Sequence, residues 1–462
     1  MRALACRLME FAAGYNGFFN VARRNVADKA RSYLQGLLMK APRKNMERME
    51  EYVQEYDYQG QQQFLSDSPW SHQALMEQVA RDANTLLGGP QSALLIDESA
   101  FEKKGEKSAG VARQWNGRQG KVDNAQVGVF AALSGGNGGA LIDGRLYLPE
   151  TWTSDGDRCR EAKIPILQQS YRSKPQLALE MIARAVETGV KFGWVGFDAF
   201  YGSTPWLLRK VEDMGLVFVG DVRSNATLYC ADPAPYMPRR RNGRGRPFTQ
   251  RRARGESTTM AKLFSEGDVV WEEVAIREGT KGTIRGTASA KRVWLWDGEE
   301  KEARQWWAVC VVDEESCETT FFLSNAPSET SLQELVSKHA VRYWIERAFQ
   351  DAKTSLGMAD YQARGWPAWH HHMAMVMLAM LFLLRERRVH LVEVELLSCQ
   401  DIVELLNVFI PRRDLTPEDV IKNIERRHRK RREAMETARR ASQARYVERK
   451  KSEKSAECVL TM

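Results

Sequence analysis

Across the first 88 residues, apolar positions recur at helical spacing in "VADKARSYLQGLLM" and "HQALMEQVARDANTLL". The polar stretch "YDYQGQQQFLSDSPW" separates them, and Ser66 or Ser68 is placed to cap a helix entering at Pro69. Gly88, Gly89 and Pro90 end this pattern. Three short segments, apolar or alternating and bounded by turn residues, then read as strands: "ALLID" (93–97), "GVARQW" (110–115) and "AQVGVFAAL" (125–133). After a loop-rich span, "SGGNGGALIDGRLYLPETWTSDGDR", the spacing predicts a helix from near Gln176 to Thr188. The apolar strand "FGWVGFD" (192–198), a helix over 205–213 and a strand "LVFVGDV" ending near Val222 follow. Strands and helices in this order predict a mixed α/β sheet flanked by helices.

Residues 223–325 change character. "DVVWEEVAI", "KGTIRGTASAKRVWLWD", "RQWWAVCVVD" and "CETTFFLSN" read as β-hairpins with no helix between them, which predicts an inserted, mostly-β subdomain. Helical spacing returns in "SLQELVSKHAVRYWIERAFQDAKTSL" and "WHHHMAMVMLAMLFLLRER", and a basic helical tail ends the chain. The expected segments are therefore 1–88, 89–222, 223–325, 326–400 and 401–462, within the two to four domains that 462 residues predict. The apolar run Met373–Leu384 is 12 residues, too short for a bilayer and suited to a buried helix. No membrane partner is expected. Arg7 and Glu10 make the N-terminus an amphipathic helix and not a signal peptide.

Charge changes the picture once it is located. The net +8 conceals two basic segments, 14 Lys/Arg against 5 Asp/Glu over Lys422–Lys454 and eight Arg with no acid in "PRRRNGRGRPFTQRRARG" (238–255). The remaining chain is net acidic, so the concentrated cations point to a polyanion, most simply nucleic acid. The seven cysteines include no C-x-x-C pair, which argues against a zinc knuckle or disulfide framework and fits a reducing cytosol. "SGGNGG" lacks a P-loop lysine and the dinucleotide fingerprint.

Three carboxylates fall where the elements would aim them at one point. Asp97 ends the first apolar strand, Asp198 ends "FGWVGFD", and Glu346 lies on a helix with Arg342 and Lys353 in the same narrow arc. Ile345, Ala348, Phe349, Ala352 and Leu356 form the adjoining apolar face. An oxygen-rich set of this kind suits Mg²⁺ or Mn²⁺. Two ions about 4 Å apart can activate a nucleophile and neutralise a scissile phosphate, while Arg342 and Lys353 clamp non-bridging oxygens. The alternative for Arg342 and Glu346 is an ordinary i, i+4 surface pair. Glu98 would point away from Asp97 in a continuing strand, and Lys103 and Lys104 are phosphate contacts or a solvated turn. Three consecutive histidines, His370–His372, point in different directions on a helix and make a poor metal site.

"LLIDESAFEKKGEKSAGVARQWNGRQGKVDNAQVGVFAAL", "RLYLPETW", "FGWVGFDAFYG" and "RYWIERAFQDAKTSLGMADYQARGWPAWHHHMAMVMLAML" together resemble the DDE transposases of bacterial insertion sequences. The resemblance is to the branch with a β-rich insertion between the second and third carboxylates. It implies an RNase H-like core split into 89–222 and 326–400, an N-terminal helical DNA-binding region and a cytoplasmic, nucleoid-associated protein. It further implies Asp97, Asp198 and Glu346 as the triad for two Mg²⁺ or Mn²⁺ ions, double-stranded transposon-end and target DNA as partners, and a homodimer on DNA. The family's tyrosine–arginine–glutamate–lysine spacing matches at Arg342, Glu346 and Lys353, but His339 stands at the tyrosine position. Arg239, Arg240 and Arg241 become DNA contacts. Trp294 and Trp296, on one side of a strand, become stacking platforms for a base, or else core aromatics. The implied activity is cleavage and strand transfer. The alternatives are a nuclease without strand transfer and a descendant that only binds DNA.

Overall fold

In the computed structural model, which describes residues 3–21, 24–117, 119–136, 138–238, 248–279, 282–390, 394 and 397–460, the N-terminal helical spacing becomes five helices. These are α1 (Leu4–Gly14), α2 (Ala27–Leu38), α3 (Met46–Tyr52), α4 (Tyr58–Ser66) and α5 (His72–Leu87). The cap expected at Ser66 or Ser68 belongs to Ser71, whose hydroxyl accepts from the Ala74 N–H. Ser66 instead ends α4. The cause is Trp70, fully buried and stacked on Phe64, which anchors the connection before α5 begins.

The sheet strands are β1 (Ala93–Glu102), β2 (Ala112–Asn116), β3 (Lys121–Ser134), β4 (Gly139–Leu146), β5 (Trp194–Phe197), β6 (Phe218–Val222), β7 (Glu272–Gly279), β8 (Gly282–Leu295), β9 (Arg304–Asp313) and β10 (Thr319–Ser324). They form one ten-stranded sheet in the order β7-β8-β9-β10-β6-β5-β1-β3-β2, with β4 pairing along the far half of β3. β1, β5 and β6 run parallel; β1 is antiparallel to β3, and β10 is antiparallel to β6. This is a mixed sheet with an RNase H-like core, and strands β7–β10 continue it from the edge of β6.

β4 lies inside the span expected to be a loop. Its strand character is hidden by Gly139, Gly144, Asp143 and Arg145. Gly144 is there because a Cβ would lie 2.8 Å from the Phe130 ring. Asp143 and Arg145 are buried, and Asp143 pairs with Arg184 at 2.9 Å, so the buried charge has a partner.

Helix α6 (Lys174–Glu187) opens with a complete capping box from Ser173 and Gln176. Two helices follow β5, the short α7 (Ala199–Gly202) and α8 (Pro205–Asp213). A helix at Met260–Glu266 interrupts the otherwise β-rich stretch before β7. The long helix expected around Glu346 is two helices, α9 (Leu332–Ala340) and α10 (Tyr343–Ser355). At the joint, the N–H groups of Arg342, Trp344 and Ile345 bond three residues back, a tighter turn than an α-helix makes.

α11 (Trp366–His390) is long and apolar enough to cross a membrane, yet it is buried in the protein as the hub on which the N-terminal helices pack. The three histidines serve that packing. The His371 ring stacks on Trp70 at 3.9 Å between the Leu65 and Trp70 carbonyls, and His372 faces the Tyr33 hydroxyl at 2.8 Å. Arg7 of α1 ion-pairs with buried Glu386 of α11 at 2.6 Å. α12 (Cys399–Phe409) packs on the same core. Residues 412–462 form a second unit, consisting mainly of the polar helix α13 (Pro417–Leu460).

Candidate active site

Ala93, Leu94, Leu95 and Ile96 are 0–1% exposed, so both faces of this part of β1 are covered and the run is continuous instead of alternating. β1 and β5 pair in parallel through Ile96 and Phe197, and β5 and β6 through Phe197 and Gly220. One step further along each strand stand Asp97, Asp198 and Asp221. Neighbours at one level of a parallel sheet share a face and lie about 5 Å apart. Three acids thus form a row across three central strands.

Asp198 is also the N-cap of α7, and its Oδ1 accepts from the N–H groups of Phe200 and Tyr201 at 3.0 and 3.1 Å. This cap holds the carboxylate still. The helix can sit so close to the sheet because Gly202 has no Cβ, which would fall 2.1 Å from the Asp221 carbonyl oxygen. Burial, reinforced by the charge of Asp198, pushes the Asp97 carboxyl up to about 7. Burial also raises Asp198. Two half-buried carboxylates at this separation call for a proton or a cation between them.

Arg342, at the α9–α10 joint, supplies a cation from above. Its Nη1 reaches Glu346 Oε1 at 2.9 Å and its Nε reaches Asp221 Oδ2 at 3.2 Å. Burial opposes its charge, but Asp221, Glu346, Asp97 and Asp198 together hold it more firmly protonated than usual. Glu346 is half exposed on the first turn of α10, while Ile345, Ala348, Phe349 and Ala352 bury the opposite face. Among the described residues, no three His, Cys, Asp or Glu side chains converge on one point as they stand. Glu346 is engaged with Arg342 instead.

The other expected residues are spread more widely. β1 continues to Glu102, so Lys103 lies six positions, or about 20 Å, beyond Asp97 along the strand. Its ammonium sits 3.6 Å from the centre of the Tyr361 ring, and burial lowers it to about 8. Lys104 is exposed on the following turn. Lys353 lies over the Phe349 ring on α10. Glu98 does turn from Asp97, to Lys174 at 2.8 Å. Arg239, Arg240 and Arg241 lie outside the described residues. Trp294 is half-buried on β8 opposite Gln305. Trp296, just past the end of β8, donates its indole N–H to the Glu300 carbonyl. It lines a cleft of about 970 Å³ with Gly202, Ser203, Arg223, Tyr229 and Arg251, beginning four residues after Asp198. Trp306 is core, donating to Glu212 at 2.9 Å.

Asp221 is the residue that sequence reasoning missed. Its signal was a carboxylate closing a third apolar strand, "LVFVGDV", like the two already singled out.

The row of acids therefore crosses the three central strands of an RNase H-like sheet at one level. Residues 15–283 match the DDE superfamily endonuclease model, and the chain belongs to that superfamily of nucleic-acid-cleaving enzymes. The matched span includes Asp97 and Asp198 and stops short of Glu346. The chain is also 25% identical, over 362 residues, to the probable transposase for insertion sequence element IS701 of Microchaete diplosiphon, covering 78% of this chain and 82% of that protein.

Proposed function

We propose that this protein is a transposase that binds the terminal inverted repeats of its own insertion sequence, cuts there and joins the freed strand to target DNA. The observation that carries this reading is the half-buried pair Asp97 and Asp198 on adjacent strands, with Glu346 linked through Arg342 to Asp221 on the next strand. The acid pair fits divalent cations, because burial and mutual repulsion penalise its ionised form unless positive charge is added. In this reading Asp97, Asp198 and Glu346 hold Mg²⁺ or Mn²⁺. When bound, these ions supply charge neutralisation at the scissile phosphate and an acidified water or DNA 3′-hydroxyl. Arg342 and Lys353 grip non-bridging phosphate oxygens, and no protein nucleophile is required.

Lys104, the Arg239–Arg241 segment and the tail would bind duplex backbone, with the enzyme working as a dimer on paired ends. The cleft lined by Trp296 would receive an unstacked base, with Arg223 and Arg251 near its phosphate; Trp294 stands outside that lining.

The deciding experiment offers pre-cleaved ends bearing a free 3′-hydroxyl together with target DNA and Mg²⁺. Joined products are expected. Cleavage of intact ends without any joining would instead make the protein a nuclease, and binding without cleavage a DNA-binding descendant.

Binding should be steeply salt-dependent. Replacing the exposed Arg429, Arg431 and Arg432 of α13 by Gln should flatten the slope of log K against log salt by about 3. An unchanged slope would remove the tail from the interface.

A further inference from the structure

Asp221 does two things at once. Its Oδ2 takes the Nε side of Arg342 at 3.2 Å, and its Oδ1 faces His339 Nε2 at 2.6 Å. The His339 ring lies flat on Phe322, centroids 4.4 Å apart and planes within 5°. Phe322 is the residue of β10 paired directly with Asp221. The carboxylate is therefore fixed by its strand, by the imidazole and by the strand next to it. His339, the residue that departs from the tyrosine of the resembling transposases, thus has a role in the protein interior.

Arg342 is shared between Asp221 and Glu346. If Glu346 is to turn toward a metal beside Asp97 and Asp198, the guanidinium must release it. A half-buried guanidinium left unpaired next to added positive charge would be unfavourable. Asp221 is the partner that stays.

We propose that Asp221 is a positioning residue that retains Arg342 when Glu346 leaves it, so that the cation does not compete with metal for the triad. This rests on the metal-binding reading above. It assigns Asp221 no contact with metal or DNA. In the Asp221→Asn protein, Arg342 keeps only the triad carboxylates as charged partners and opposes the incoming ion. In the wild type it moves aside while remaining paired, placed for a phosphate oxygen.

The test is Mn²⁺ binding to the full chain without DNA, read by calorimetry and by the loss of the free-ion electron paramagnetic resonance signal. Asp221→Asn should weaken Mn²⁺ by about ten-fold or more, the scale of coupling between contacting charged groups. Arg342→Gln alone should bind Mn²⁺ several-fold more tightly, because Glu346 is already free. The decisive comparison is Asp221→Asn within the Arg342→Gln background, where its penalty should vanish. A penalty that persists there would mean that Asp221 acts through its own charge, and the proposal fails. It fails equally if Asp221→Asn binds Mn²⁺ like the wild type. Should Asp221→Asn not fold, unchanged or weaker binding by Arg342→Gln overturns the idea by itself. Asp198→Asn distinguishes the two levels of inference. If it leaves Mn²⁺ binding intact, the metal site itself is misassigned and both readings fall; if it abolishes binding, any failure above belongs to Asp221 alone.

Discussion

Asp198→Asn should lower cleavage of end DNA by about 10³-fold or more, since it removes one charge from a site whose chemistry rests on charge neutralisation. The fold should survive. The amide oxygen of Asn can still accept from the Phe200 and Tyr201 N–H groups and cap α7. Asp198→Ala should lose the same activity and about 1 kcal/mol of stability in addition, from the missing cap. Measuring both variants by cleavage rate and thermal melting separates the chemical role of the carboxylate from its structural one. End binding in a gel-shift assay should persist in both. A variant Asp198→Asn that cuts at the wild-type rate would sink the assignment of this site.

Asp97→Asn should make the metal-free protein more stable at pH 8 while abolishing cleavage. The Asp97 carboxyl is pushed up to about 7 in the folded protein, against about 3.9 in an unfolded chain. Between these values the folded state holds the extra proton, so stability falls as pH rises. The contribution is fully present below pH 4 and lost above pH 7, a change of about 2–4 kcal/mol. Burial of His72 and His372, which lowers them to about 3 and about 4, acts in the opposite sense, raising stability as pH climbs toward 6.5. The test is therefore the difference between Asp97→Asn and wild type in chelator, which should grow from near zero at pH 4 to its full value by pH 8. Added Mg²⁺ should raise the melting point of the wild type at pH 8 and leave Asp97→Asn unmoved, because only a protein that binds the ion is stabilised by it. A difference that stays flat with pH would mean that Asp97 is an ordinary exposed acid.

Both predictions follow from a tension visible in the primary structure. A short apolar run that breaks on an acid reads as a strand that carries a charge to the edge of the core. Asp97 and Asp198 were legible for that reason, and the apolar face of α10 was legible from its 3.6-residue spacing, now seen in the burial of Ile345, Ala348, Phe349 and Ala352. These patterns depend on neighbours along the chain. The basic tail and the arginine-rich segment are equally local.

What tertiary structure alone decided concerns residues far apart in sequence. The alignment of Asp97 with Asp198 and Asp221 depends on the register of three strands separated by about a hundred residues and by a helix pair. No periodicity within any one strand encodes that register. β4 escaped notice because its buried Asp143 and its Gly144 make sense only against Arg184 and Phe130. Lys103 looked close to Asp97 in sequence, yet an extended strand carries it away and Tyr361 engages its charge. Asp97 and Asp198 stood out from the primary structure because an acid directly following an apolar run sits at the margin of a core, where its charge is costly unless it is paired. Tertiary structure decided which of them meet, through pairing between distant strands and through the one guanidinium, Arg342, that Glu346 and Asp221 share.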